Sequence, residues 1–230
     1  MIATEIQLLG LKILEPGTIL SDLLMGLACL VFSFKLNRLD DSKKNRFISY
    51  FFLFLGFSSF IAGFAHGLFY YFGTYLHTIS WILSGLAIYF LQLGTMVLFD
   101  NERFKSWYLV FIRTQLLIYL VLLFAVSGFI VVKINFVISM IGVITPVYLV
   151  DLAKRGYRNN LFIITGVFLA ILPSLYHRTE FTFGYIFNMN DLSHFFLILC
   201  IFFVFLGVKD RFFKVLENLD EQEETEEALS

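Results

Sequence analysis

Ser58-Ser59-Phe60-Ile61-Ala62-Gly63-Phe64-Ala65-His66 and, after a short turn, His77-Thr78-Ile79-Ser80-Trp81 decide the reading of this chain. The first stretch ends one apolar run and the second starts the next. Together they read as a membrane span, a tight hairpin and a second span. Each side of the turn carries a histidine. An imidazole inside a span is costly and marks a functional site unless something else explains it.

The composition around this hairpin points the same way. The 230 residues are 59% hydrophobic and 19% aromatic, with 30 Phe, and only 15% are charged. Soluble domains carry about a quarter charged residues. A span needs roughly 20 apolar residues. The apolar runs place seven spans near 18–36, 47–68, 77–98, 107–128, 133–151, 160–177 and 191–208. Ser127-Gly128, with Lys133 and Asn135, marks a break between the fourth and fifth. Lipid leaves no solvent for open backbone groups, so these runs must be helices. The expected fold is an all-α bundle of seven transmembrane helices over residues 1–215. Residues 216–230, with acids from Glu217 to Glu227, form an acidic, disordered tail. Residues 1–15 are expected at the interface, with no cleavable leader before Pro16-Gly17. Cys29 and Cys200 both fall mid-span, which disfavours a structural disulfide.

Lys and Arg set the orientation. Of the 17, Lys35, Arg38, Lys43, Lys44, Arg46, Arg103, Lys105, Lys154, Arg155, Arg158, Lys209, Arg211 and Lys214 gather on one side. Lys12, Lys133 and Arg178 fall on the other, and Arg113 lies inside the fourth span. The richer side is cytoplasmic. The amino terminus is then outside and the carboxyl terminus inside, as in a multi-pass protein of a bacterial inner membrane. The partners read here are membrane lipids and a lipid-like substrate, not nucleic acid.

In that frame every histidine lies at the outer end of a span: His66, His77, His177 and His194. Asp22 lies about one turn into the first span. Ser59, Gly63 and His66 share one helix face, and small residues there admit a neighbouring helix. Asp191 and His194 form an acid-x-x-His step of the kind that projects into metal-binding bundles. Each residue also has a plain reading. His66 suits an interfacial cap of the hairpin, His77 an interfacial belt beside Trp81, Asp22 and Asp191 suit helix caps, Ser59 suits packing, and His177 suits exposure.

The functional reading makes His66, His77 and His194 zinc ligands, with His177 in reserve. Neutral imidazoles suit zinc, and a catalytic site keeps a position for water. Asp22 and Ser59 are the candidate catalytic residues, Asp22 as proton acceptor. Asn190 and Asp191 orient the ligands. Two other classes compete with this reading. One is a seven-helix binding, transport or haem-binding protein without hydrolase activity. The other is a bundle in which a metal only staples helices.

The arrangement resembles the alkaline ceramidase and adiponectin-receptor superfamily. That resemblance rests on a histidine closing the second span, a histidine one turn into the seventh, and the outer amino terminus. Of the family's Ser-x-x-x-His, Asp and His-x-x-x-His positions, His66 and His194 match. Ala62, His77 and Asn190 occupy the other three, with Ser59 one turn before the serine position. The resemblance implies a zinc-dependent intramembrane hydrolase acting on a lipid amide or ester. Residues Phe187 to His194 are also similar to the start of the last span in uncharacterised bacterial membrane proteins, which implies no activity.

Overall fold

The computed structural model describes residues 5–39, 42–126, 128–176 and 189–209. A short β-hairpin opens the chain: β1 (Glu5–Leu8) pairs antiparallel with β2 (Leu11–Leu14). Leu9 and Gly10 form its two-residue turn with φ of 52° and 80°, the backbone that matches strand twist in tight hairpins. The remaining elements are helical: α1 (Pro16–Leu39), α2 (Lys43–Gly67), the single turn α3 (Phe69–Phe72), α4 (Tyr75–Met96), α5 (Glu102–Val126), α6 (Phe129–Val137), a π-helical stretch (Ile138–Ile144), α7 (Thr145–Arg155), α8 (Asn159–Tyr176) and α9 (Met189–Val208).

Six helices are long and apolar enough to cross a membrane, counting Phe129–Arg155 as one. Asn159–Leu172 is a shorter apolar helix. Most helices run past the apolar limits read from sequence, because helical hydrogen bonding continues into charged ends such as Arg38, Lys43 and Glu102. The largest correction is at the fifth run. Its helix starts at Phe129, ahead of the expected 133, so Lys133 and Asn135 lie inside the helix rather than at its break. The same helix changes pitch further on. Pro146 carries no N–H and crowds the carbonyl of the preceding turn. The Thr145 N–H bonds Met140 O, five residues back, which is the π spacing. His177 and the acidic tail lie outside the described residues.

Helix α2 is the centre of the packing, with α1 on one side and α4 on the other; α9 lies against α1, and α8 against α9. Between apolar helices in lipid, close backbone approach and polar pairs replace the hydrophobic drive. A Cβ on Gly26 would stand 3.1 Å from Gly56 O, and one on Gly56 would stand 3.1 Å from Gly26 O. Two reciprocal serine pairs clamp the same helices. Ser33 Oγ donates to Ser49 O (2.9 Å) and Ser49 Oγ to Ser33 O (3.0 Å) across α1 and α2. Ser58 and Ser80 repeat the pattern across α2 and α4 at 2.8 and 2.9 Å. The half nearer Arg38 and Lys43 fills with Leu36, Ile48, Phe52, Tyr148 and Val208, and Phe32 stacks on Phe205 at 4.5 Å. Helix α5 is peripheral. It turns Trp107, Leu117 and Phe124 outward, and Gln115 inward to Gln92, Asn135 and Ser139.

Candidate functional site

A cavity of about 520 Å³ opens among α1, α2, α4, α6 and α9. Most of its wall is apolar: Met25, Phe51, Leu55, Ile88, Met140 and Ile201. Its polar residues cluster by sequence position at the ends of helices that share one side of the bundle. Asp22, Ser59, His66, His77, Asn190 and His194 all line it. Pockets of this size and character hold small apolar ligands with a few orienting polar groups.

Asp22 is 1% exposed. Gly63 lets it in: a Cβ there would come 3.2 Å from Asp22 Cβ and 3.3 Å from Ile19 O. Asp22 Oδ1 lies 3.6 Å from His194 Nε2, and Oδ2 is buried without a hydrogen-bond partner. Burying a polar atom without a partner costs roughly 1–3 kcal/mol, so Oδ2 calls for a reason.

The other face of His194 meets Ser21. Ser21 Oγ lies 2.8 Å from His194 Nδ1 and 3.0 Å from Thr18 O, and its single proton serves one of the two. His194 Nε2 faces Asp22. His66 is set the same way: its Nδ1 lies 2.9 Å from Glu15 Oε2. The His66 and His77 rings meet edge to face at 4.9 Å, and His66 and His194 stand 6.5 Å apart. His77 packs between Phe69 and Trp81, each at 5.8 Å. Its Nδ1 is buried without a hydrogen-bond partner.

Glu15 is the principal residue that sequence reading missed. It precedes α1, accepts from His66 and from Asn190 Nδ2 (3.2 Å), and so ties α2 and α9 to the hairpin. The His66 hydrogen bond holds its carboxyl below the usual range. Its backbone has φ 47°, a left-handed conformation costing about 1–2 kcal/mol for a residue with a Cβ. An acid one residue before Pro16-Gly17 was the available signal, but nothing local connects it to His66. Ser21, beside Asp22, was missed for the same reason.

Other expectations divide. Ser59 lines the cavity, but its Oγ donates to Leu55 O of its own helix at 3.0 Å, as packing serines do. Asp191 is buried and stays off the cavity wall. Lys133, expected at the outer start of the fifth span, lines the cavity from α6. Cys29 and Cys200 are free and buried.

Among the described residues no group of three or more His, Cys, Asp or Glu has the spacing to hold a metal ion. The donor chemistry nevertheless fits zinc. His66 and His194 each set Nδ1 against an oxygen, as zinc-bound histidines do with the ring nitrogen that does not ligate.

One family model matches the chain, over residues 17–211, and its description is a family of unknown function (DUF6962). No curated protein and no solved structure matches.

Proposed function

The chain belongs to the DUF6962 family, and from the site it carries we propose a membrane-embedded, zinc-dependent hydrolase of a lipid amide or ester. One observation carries the reading. Imidazoles from three helices and a buried carboxylate from a fourth meet at a mostly apolar cavity. An acyl chain suits the apolar wall, and its polar linkage suits the cluster. The resemblance to alkaline ceramidases and adiponectin receptors supports the same class.

His66, His77 and His194 would hold the metal. When bound, zinc lowers the pKa of water toward neutrality and supplies a nucleophile. The chain's own residues then have defined work. Glu15 and Ser21 hold the imidazoles of His66 and His194 at Nδ1. Asp22 accepts the proton of the attacking water and returns it to the departing amine or alcohol as the C–N or C–O bond breaks. The apolar wall orients the acyl chain and excludes bulk water. Asn190 steadies Glu15. Ser59 and Asp191 support the site without touching the linkage.

The topology we propose is seven spans, counting α8, with the amino terminus outside and the tail inside a bacterial inner membrane. The distribution of Lys and Arg supports it. A cysteine placed in the Glu217–Ser230 segment should resist impermeant labels in intact cells, and labelling from outside would reverse the topology. The activity test uses protein in neutral nanodiscs with a panel of fatty amides and esters. Fatty acid should be released, and release should be lost in His194→Ala. A zinc-loaded protein that cleaves none of the panel would refute the hydrolase.

A further inference from the structure

Lys133 is the cation on the cavity wall. It lies one turn inside α6, whose Phe129, Val132 and Phe136 line the same cavity. Its Nζ stands over the Phe129 ring at 5.2 Å from the centroid. Among the described residues no carboxylate comes within salt-bridge distance of it. A lysine in a span is normally paired or reaches the interface. Here the acids go elsewhere. Glu15 is taken by His66 and Asn190, and Asp22 faces His194.

The position of Lys133 relative to the histidines is defined by aromatic contacts. His77 touches Trp81 at 5.8 Å, Trp81 touches Phe129 at 6.0 Å, and Phe129 carries Lys133. One continuous wall therefore joins the imidazole cluster to a single ammonium. A ligand spanning that wall would present its reactive linkage to the imidazoles and a negative group to Lys133. Its hydrocarbon would run along Phe51, Leu55, Ile88 and Ile201.

We infer that the cavity selects an anionic amphiphile, with Lys133 pairing the carboxylate or phosphate beside the acyl chain. The inference names the substrate class of the site proposed above and rests on that reading for its reaction, though not for its binding. The charge-assisted hydrogen bonds of an ammonium to a phosphate or carboxylate oxygen supply the selectivity.

The test uses hexadecyl phosphate, palmitate and hexadecanol, none of which has an amide or ester to hydrolyse. Failure of the hydrolase reading therefore leaves the test intact. Binding is measured to full-length protein in phosphatidylcholine nanodiscs at about pH 8.5, which keeps palmitate ionised despite burial. The wild type should bind at least one anionic probe about tenfold more tightly than hexadecanol. Comparing the two anions tells a phosphate source from a carboxylate source. Lys133→Met should erase that preference and leave hexadecanol affinity unchanged, which also reports a folded cavity. Lys133→Arg should keep the preference. Equal binding of all three probes by the wild type would overturn the inference. So would a preference that survives in Lys133→Met, or the absence of binding by any probe.

Discussion

Two sets of buried polar groups occupy this bundle and are treated in opposite ways. The serine pairs Ser33–Ser49 and Ser58–Ser80 are closed: each hydroxyl donates to the partner's carbonyl across the helix contact. The cluster around Asp22 is open. Asp22 Oδ2 has no hydrogen-bond partner, and His194 Nε2 stands 3.6 Å from Oδ1, beyond hydrogen-bond distance. Closed pairs have nothing left to offer a ligand and can only hold helices together. An open cluster keeps a penalty in the free protein that a bound group can remove. The difference separates glue from site within one apolar environment.

The largest effect expected from that contrast falls on Asp22. Asp22→Asn keeps the shape and a capping oxygen while removing the proton acceptor. Hydrolysis should drop about 10²–10⁴-fold with the thermal midpoint little changed. Steady-state rates beside a melting curve check this. An unchanged rate in active protein would make Asp22 a cap, and the open cluster would then be another form of glue.

Metal removal sharpens the contrast next. Zinc held at about a hundred times its dissociation constant should stabilise the fold by about 2.7 kcal/mol. Elemental analysis should find one zinc per chain, and chelation should lower the melting midpoint. The same chelation in His66→Ala should have a much smaller effect. Zinc-free protein whose melting ignores both zinc and chelator would remove the metal from the account.

Gly26→Val probes the closed side. Its Cβ would meet Gly56 O at 3.1 Å, where only backbone can yield, and the Phe60 ring lies equally near. Overpacking of this kind costs about 1–3 kcal/mol. Denaturation should show the loss, and zinc content should persist in whatever folds. A variant as stable as the wild type would mean that α1 and α2 have room to part.

The smallest effect belongs to the serines. A double-mutant cycle of Ser33→Ala and Ser49→Ala should give a coupling of about 0.6 kcal/mol, as for other hydrogen bonds within membranes. A coupling several times larger would show that these pairs set helix register rather than add to it.

The apolar helices were legible because an apolar run of this length admits only a helix, and the run itself marks its position. The π-helical stretch was not, since Pro146 sets a helix start or a kink equally well. The start of the fifth helix was set too late for a related reason. Polar residues after Ser127-Gly128 resemble a break until the helix is seen to begin at Phe129 and bring Lys133 and Asn135 to the cavity wall. In the site, His66, His77, His194 and Asp22 could be found because such residues stand out in an apolar background. Ser59 could not be assigned: its bond to Leu55 O is invisible to spacing. Glu15 and Ser21 act through partners 51 and 173 positions away, and separation of that order erases any local signal.

Glu15 also bears on how this position should vary over evolutionary time. Its left-handed backbone favours glycine, and asparagine tolerates it better than glutamate does. Under neutral drift, position 15 should therefore slide toward those residues across related chains. Each such replacement relaxes the backbone but removes the oxygen that His66 and Asn190 share. A lineage that keeps an acid there is resisting the easier conformation, and selection on the carboxylate is the force that opposes it.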